Sequence, residues 1–408
     1  MSQAKNKIIL ITSAILLSLL TLETISRVIF FALDKSLGDP MLNAKLDDKF
    51  LYQPYTGLIY KPFSEVRPKL KTDRHGFIHN GNPERNLFIK NPNQFSVFLL
   101  GGSTVAGTYV ASEKTTLAAM LEARLNKLFQ EKGIKLIPQV INAGISSYIS
   151  SQEFALLKWY VLPLNPDYVI TLDGTNDSRH YNAHVHSTNQ TLKHDVHRYH
   201  QKIFQDYNQI FSFSGLLAQT MRLSSNYSAL VSLLYKITKK FKKSKSVQGT
   251  DHKASQEEMN YVIEMNLTQY SRNIQASAAL CNQFGIGLGY FLQPTLFDDL
   301  PNLTEKELET IRVGNYGTWH NRNYFEYKRK FYDKASFIIS ALKNELESDA
   351  ITIEDFSKIF TSKNKKAGMS FFGDRAHYTD LGRKVIVDEI LKSLGESIAR
   401  KAQEIQNL

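Results

Sequence analysis

Five short apolar runs, separated by longer segments of helical character, constrain the fold of this 408-residue chain more than any other feature. The runs span residues 96–100, 139–142, 167–172, 287–292 and 350–354. None of them alternates apolar with polar side chains, which is typical of strands buried on both faces. We predict helices over 115–130, 151–160, 257–283, 321–347 and 380–405.

Strands and helices that alternate in this way predict crossover connections and a parallel, doubly wound sheet with helices on both faces. We therefore predict a three-layer α/β/α domain with five strands. In such sheets, ligands bind in the loops that follow the carboxyl ends of the strands. Because Cys281 is the only cysteine, the sequence excludes an internal disulfide and a cysteine-rich zinc site.

The N-terminus carries the only stretch apolar enough for a membrane. Residues 8–22 contain no charge, and apolar character resumes at 28–33, after Glu23 and Arg27. We predict that residues 1–34 form a transmembrane helix that acts as a signal anchor. Glu23 and Arg27 stand four residues apart, a spacing that lets them pair on one helix face.

Two alternatives to the anchor are a cleaved signal peptide and a buried cytoplasmic helix. Cleavage needs a small-x-small site after the apolar run, and Thr24-Ile25-Ser26 matches that pattern poorly. Lys5 and Lys7 precede the apolar run, which favours a cytoplasmic N-terminus. The single-pass reading then places the rest of the chain outside the cytoplasm, on the periplasmic or cell-surface side.

The remaining chain divides into a lead-in and a larger domain. We predict an irregular lead-in over 35–92 and a domain over 93–408, with an insertion at about 178–256. The insertion contains a helical stretch, 211–235, followed by five lysines in residues 239–245. The lysine run is typical of a solvated loop, although an anionic partner would also suit it and the net charge of +11.

Four polar motifs stand where the predicted strands end or where the last helix begins. Gly-Gly-Ser-Thr follows the first strand and presents Ser103. The second strand ends in Asn-Ala-Gly with Gly144, and the third is followed by Asp-Gly-Thr-Asn-Asp with Asn176. Asp374 and His377 precede the last helix in an Asp-x-x-His pattern.

The glycine-rich turn does not fit the common phosphate-binding or hydrolase patterns. The P-loop pattern needs a lysine where Thr108 stands, and the nucleophile elbow G-x-S-x-G needs a glycine where Val105 stands. A different serine-enzyme geometry is therefore required. Loops that follow adjacent parallel strands can supply hydrogen-bond donors to an oxyanion from more than one direction.

Together the four motifs resemble those of the SGNH (GDSL-type) hydrolase superfamily, over roughly residues 95–400 without the insertion. The resemblance implies a flavodoxin-like sheet, a nucleophilic Ser103, a general base His377 and an orienting Asp374. It also implies an oxyanion hole made by the N–H groups of Ser103 and Gly144 and by the Asn176 side chain. Gly102 departs from the pattern, because the superfamily usually has Asp before the serine.

Together with the predicted anchor, the resemblance implies a membrane-anchored, extracytoplasmic serine esterase or O-acyltransferase that acts on ester-linked acyl groups, with acetyl as the expected group. The expected partners are an acylated carbohydrate or lipid ester and the membrane itself, and neither nucleic acid nor a cofactor is predicted. The alternative, from a different class, is an inactive SGNH-like module that binds polysaccharide.

A histidine-rich segment offers a competing site. Six of the eleven histidines fall between His180 and His200, some at spacings that could ligate a metal on a helix. The segment contains no recognised ligand motif, so we predict that its histidines line or cap the pocket and that no metal is bound.

Overall fold

The computed structural model describes residues 2–32, 49–179, 256–296, 322–360 and 370–407, together with the stretch 227–234 and a few other positions between 220 and 237 and between 304 and 309. It separates into two compact units. The first contains residues 1–48 and 197–253, and the second contains residues 49–196 and 254–408. Much of the predicted insertion, including its lysine run and most of the stretch 211–235, lies outside the described residues.

In the first unit, helix α1 (Ser2–Ala32) carries the apolar N-terminus. Its segment Ile9–Ala32 has a mean hydropathy of 1.9, so that by length and composition it could cross a membrane. The predicted pair forms, with Nε of Arg27 2.9 Å from Oε1 of Glu23.

Glu23 and Arg27 also hold a short segment of the predicted insertion. Glu23 accepts hydrogen bonds from the Ser228 hydroxyl (2.7 Å) and from the N–H groups of Ala229 and Leu230 (2.9 Å each). Arg27 donates to the Tyr227 carbonyl (3.0 Å). Glu23 and Arg27 therefore both have polar partners, which offset the cost of removing their charges from water.

The second unit contains a parallel sheet of five strands. These strands are β5 (Gln94–Gly101), β6 (Ile137–Asn142), β7 (Tyr168–Asp173), β8 (Gly287–Leu292) and β9 (Ile351–Asp355). Their order in the sheet is β6-β5-β7-β8-β9, and all four pairings are parallel. The predicted five-stranded, doubly wound sheet is confirmed.

Helices cover both faces of this sheet. They are α2 (Leu117–Glu131), α3 (Ser150–Leu156), α4 (Gln256–Gln283), α5 (Arg322–Leu346) and α6 (Asp380–Gln406). One core cluster packs α3, α4 and α5 against one face, and the other packs α2 and α6 against the opposite face. Neighbouring residues of β5 divide between them, with Phe98 in the first cluster and Leu99 in the second. The three-layer α/β/α architecture is therefore confirmed.

Helix α3 differs from its prediction. It begins at Ser150 and ends at Leu156, and a π-helical turn, Leu157–Val161, follows. Ser150 and Glu153 have the three-residue spacing of a capping box, which the sequence alone would predict at the start of this helix. They do not form one, because the Ser150 hydroxyl donates to Asp177 and Glu153 is buried.

The lead-in is more regular than predicted. It forms two small antiparallel sheets, one of β1 (Phe50–Gln53) and β2 (Gly57–Tyr60), the other of β3 (Glu65–Arg67) and β4 (Leu70–Lys71). Its apolar side chains join the same core cluster as α4 and α5. The Ile78 N–H donates to the Asn142 carbonyl at the end of β6 (3.1 Å), so the lead-in reaches the edge of the sheet where the motifs lie.

Candidate active site

Ser103 lies in the turn that follows β5, and local hydrogen bonds fix its backbone. The Ala106 N–H donates to the Gly102 carbonyl (3.0 Å), and the Thr108 N–H and hydroxyl donate to the Ser103 carbonyl (3.1 and 3.0 Å). The Ser103 Oγ is 2.7 Å from Nε2 of His377. Two residues that are 274 positions apart in the chain are thus brought into hydrogen-bond contact.

His377 is held by Asp374 in the loop before α6. Oδ2 of Asp374 lies 2.6 Å from Nδ1 of His377, and Oδ1 accepts the N–H groups of Ala376 and His377 (2.9 Å each). Burial raises the pKa of Asp374, but its hydrogen bonds with His377, the charge of His377 and the two N–H groups outweigh burial and lower the pKa to about 2. Asp374 is therefore an acceptor at neutral pH, so Nδ1 carries the proton and Nε2 accepts from Ser103.

Asn176, in the loop after β7, lies directly against the Ser103 turn. Its Nδ2 donates to the Tyr148 carbonyl (2.7 Å), which uses one of its two N–H groups. A Cβ on Gly102 would lie 2.5 Å from the same Nδ2. The amide thus occupies space that a side chain at position 102 would need, which accounts for glycine at this point of the motif.

Gly144 does not present a free N–H in this structure. Its N–H donates to Oδ1 of Asn142 (3.1 Å), whose Nδ2 donates in turn to the Val105 carbonyl (2.9 Å). A Cβ on Gly144 would lie 2.4 Å from the Ala106 nitrogen. The oxyanion role expected of Gly144 stays a prediction, while the observed packing explains why the position is glycine: the two loops lie too close for a Cβ.

The next turn contains a different unbonded N–H, which the sequence motifs did not indicate. Residues 145–148 form a turn closed by the Tyr148 N–H and the Ile145 carbonyl (3.2 Å), and Ser147 has a φ of 69°. The Ser147 N–H has no hydrogen-bond partner within the described part of the chain. The turn lies beside the candidate site, because the Tyr148 carbonyl accepts from Asn176.

The lead-in holds this turn in place through Ser146. The Ser146 Oγ lies 3.0 Å from the Tyr60 hydroxyl and accepts from Nη2 of Arg67 (2.9 Å). The Ser146 N–H also donates to the Tyr60 hydroxyl (3.2 Å). A segment that the sequence shows only as polar and aromatic therefore orients one wall of the site.

Three buried carboxyl groups lie behind Asn176. Asp173, at the end of β7, accepts from the hydroxyls of Tyr270 (2.8 Å) and Tyr290 (2.6 Å). Asp177 accepts from the hydroxyl (2.6 Å) and the N–H (3.1 Å) of Ser150. Burial and the nearby Asp173 raise the pKa of Asp177 to about 7.

Glu153 is the third carboxyl, and no N–H or O–H group from the described residues donates to it. It is 2% exposed, and both side-chain oxygens are buried without such a donor. Burial and the charge of Asp173 raise the pKa of Glu153 well above its usual range. Burial beside Asp173 therefore favours the neutral form of Glu153, since an ionised pair at this depth would be too costly.

A buried lysine supports the same loop from α5. Nζ of Lys328 donates to the Thr175 carbonyl (2.6 Å) and to the Ser178 hydroxyl, and the Thr175 hydroxyl lies 2.8 Å from that of Tyr332. Helices α3, α4 and α5 and strand β8 therefore all contribute to the placement of Asn176. The sequence indicated Asp173 and Asp177 by their position in the motif, but nothing in it marked Glu153 or Lys328 as support for the site.

The histidine-rich segment from His180 to His200 lies outside the described residues. Among the residues that are described, no group of three or more His, Cys, Asp or Glu side chains could hold a metal ion. The prediction that the histidines line the pocket without binding metal remains a prediction.

Comparisons with known proteins give matches in structure only. No protein-family model matches the chain, and no curated protein matches it in sequence. Similar solved structures include the acetyl xylan esterase AlAXEase, with 13% identity, a TM-score of 0.40, and coverage of 74% of this chain and 100% of that one. A catalytic mutant of an acetylxylan esterase from Geobacillus stearothermophilus has 12% identity and a TM-score of 0.37, covering 74% of this chain and 94% of its own. A GDSL-like lipase from Bacteroides thetaiotaomicron has 12% identity and a TM-score of 0.33, covering 74% and 88%.

Proposed function

We propose that this protein is a membrane-anchored serine esterase or O-acyltransferase of the SGNH type. The observation that carries the proposal is the continuous contact from Ser103 Oγ to His377 Nε2 (2.7 Å) and from His377 Nδ1 to Asp374 Oδ2 (2.6 Å). A hydroxyl beside an imidazole whose other nitrogen is held by a carboxylate is the arrangement that nucleophilic serine catalysis needs.

The proposed reaction begins when Ser103 attacks the acyl carbon of an ester. His377 takes the hydroxyl proton at Nε2, and Asp374 stabilises the resulting imidazolium and keeps the ring in the required tautomer. When the tetrahedral intermediate collapses, the ester C–O bond breaks and His377 gives its proton to the leaving alcohol. Water or a second hydroxyl then attacks the acyl-Ser103 ester, with His377 again as the base.

The proposed oxyanion hole differs in one donor from the sequence expectation. We assign the Ser103 N–H and the second N–H of the Asn176 amide to it, since the Tyr148 carbonyl occupies only one of the amide's two donors. The Ser147 N–H is a better candidate than that of Gly144 for a third donor, because Asn142 already binds the Gly144 N–H.

The proposal also places the catalytic unit outside the cytoplasm. The support is the apolar segment Ile9–Ala32, together with Lys5 and Lys7 before it. Protease added to sealed vesicles from the cytoplasmic face should leave residues beyond about 40 intact. Cleavage there would contradict the proposed orientation.

An ester panel tests the proposed activity. The purified full chain in detergent would be assayed on acetyl, butyryl and longer acyl esters, each with and without sugar acceptors. We expect turnover of the acetyl ester, its loss in Ser103→Ala, and wild-type rates in Ser348→Ala, a control serine exposed in the loop after α5. Acetylated sugar as product indicates transfer, whereas acetate alone indicates hydrolysis.

If no ester is turned over, the alternative of an inactive module that binds polysaccharide is favoured instead. If wild type and Ser103→Ala were equally inactive on all esters but bound an acetylated polysaccharide equally, the proposed catalysis would be contradicted.

A further inference from the structure

Tyr109 places an exposed aromatic ring beside His377. The two ring centroids are 5.9 Å apart, and the planes meet at 68°. The tyrosine is 58% exposed, although it follows shortly after the nucleophile turn. This exposed part of the ring is accessible to a bound ligand.

The backbone of Tyr109 is held in an unusual conformation by a buried charge. Its φ of 62° is one that bulky residues rarely adopt. Arg383 is 1% exposed and donates to the carbonyls of Thr108 (3.5 Å) and Tyr109 (3.3 Å), as well as to Tyr378 and Asp380. A buried guanidinium thus joins the Tyr109 turn to the loop that carries His377.

The Tyr109 ring packs on Gly373, a glycine of the loop that carries His377. A Cβ on Gly373 would lie 3.1 Å from Cδ2 of Tyr109, so the ring packs closely across the glycine next to Asp374. Because such a strained backbone persists only where the surroundings enforce it, the packing around this turn holds the Tyr109 ring in its position. It orients the ring next to the imidazole.

The position of the Tyr109 ring beside His377 determines which half of the ester it can contact. In the reaction proposed above, His377 gives its proton to the leaving oxygen, so the alcohol half of the ester must lie on the imidazole side of Ser103. The acceptor of the second step approaches His377 from the same side. A group beside the imidazole therefore contacts the alcohol and not the acyl chain.

We propose that Tyr109 is a specificity-determining residue that binds a pyranose ring as the alcohol half of the ester or as the acceptor. This inference rests on the proposed function. A tyrosine presents a flat apolar face with a polar tip, and a pyranose presents flat C–H faces with hydroxyls at its rim. The two surfaces complement each other, whereas a small aliphatic alcohol would leave most of the tyrosine face uncovered.

The test compares two acetyl esters that differ only in the alcohol. Ethyl acetate and an acetylated methyl pyranoside would be assayed with wild type, Tyr109→Ala and Tyr109→Phe. Phe337→Ala is the matched control, because Phe337 is an exposed aromatic on α5 (76% exposed). The full chain in detergent is used throughout, and kcat and KM are measured separately.

We expect Tyr109→Ala to lower kcat/KM for the pyranoside about tenfold, mostly through KM, as loss of an aromatic contact predicts. The same variant should lose much less activity on ethyl acetate and keep an unchanged pH profile, because the hydrogen bonds of His377 to Ser103 and Asp374 do not involve Tyr109. Tyr109→Phe should retain most pyranoside activity, and Phe337→Ala all of it.

Three results would overturn the proposal. An equal loss on both esters would show that Tyr109 only supports His377, and no change on the pyranoside would show that the ring does not contact it. A wild-type enzyme that prefers ethyl acetate would show that no pyranose subsite exists. Failure of the proposed function is distinguishable from all three, since wild type would then hydrolyse neither ester, or Ser103→Ala would hydrolyse both as fast as wild type.

Discussion

At the scale of single residues, the proposed catalysis depends on Ser103 and His377 acting as one unit. We expect Ser103→Ala and His377→Ala each to abolish nearly all turnover, and the double variant to be no worse than either single variant, because residues that act together have non-additive effects. Steady-state rates on one activated acetyl ester measure this. A double variant much slower than both single variants would show that the two residues act independently.

Asn176 and Asp374 should have smaller and different effects. Asn176→Ala should lower kcat by roughly 10² to 10³ with little change in KM, because the amide stabilises the oxyanion more than the ground-state carbonyl. Full saturation curves measure both parameters. A rise in KM with an unchanged kcat in Asn176→Ala would exclude it from the oxyanion hole.

Asp374→Asn should lower kcat by a factor on the order of 10⁴, because the carboxylate fixes the imidazole tautomer. The same saturation curves measure this loss.

Asp177 predicts a pH dependence of stability. Its pKa of about 7 in the folded state is above its ordinary value near 3.8, so between these values only the folded state binds this proton. The contribution of Asp177 to the free energy of unfolding is therefore fully present below about pH 4 and is lost as the pH rises through 7. Asp177→Asn keeps an oxygen that can accept from Ser150 but cannot titrate.

Melting temperatures of wild type and Asp177→Asn across pH 4 to 8 measure this effect. Wild type should lose several degrees relative to the variant as the pH rises, whatever other groups titrate in both proteins. Parallel curves for the two proteins would contradict the raised pKa of Asp177.

At the scale of elements, the short segment held by Glu23 offers a direct test of α1. Glu23→Ala removes the acceptor for the Ala229 and Leu230 N–H groups, so these amides should exchange with solvent about tenfold faster or more. Thr21→Val is the control, because the Thr21 hydroxyl donates only to the Leu17 carbonyl within the same helix. Hydrogen exchange of the protein in detergent, read at residues 229 and 230, measures the effect. Unchanged exchange there would contradict the observed contact.

The strands of the sheet could be predicted from the sequence because burial on both faces leaves a clear apolar signal. The predicted 287–292 matches β8, and the other four predictions lie within two residues of the observed ends. The lead-in hairpins were missed because each strand has two to four residues, too few for a period to show.

The support of the site could not be predicted in the same way. Glu153 stands in a pattern typical of a helix start, and only the folded chain brings it next to Asp173. The hydrogen bond from the Gly144 N–H to Asn142 could not be predicted from the motif either. A glycine at this position is compatible both with an oxyanion donor and with the close packing that is observed.

At the scale of the whole molecule, an N-terminal helix long and apolar enough to span a membrane precedes a unit whose four motifs meet at one edge of a parallel sheet. Ser103 and Asn176 follow the neighbouring strands β5 and β7, on either side of the point where the strand order reverses. Ligands of doubly wound sheets bind at such a point. The topology therefore explains why residues far apart in the chain converge there.

Labelling with a fluorophosphonate probe is a direct test of Ser103 as the nucleophile, since the probe reacts only with an activated serine. We expect one label per chain, mapped by peptide mass spectrometry to Ser103, absent in Ser103→Ala and strongly reduced in His377→Ala. Ser348→Ala should be labelled like wild type. A folded wild-type protein that takes no label, or a label that maps to another residue, would contradict the proposed serine mechanism.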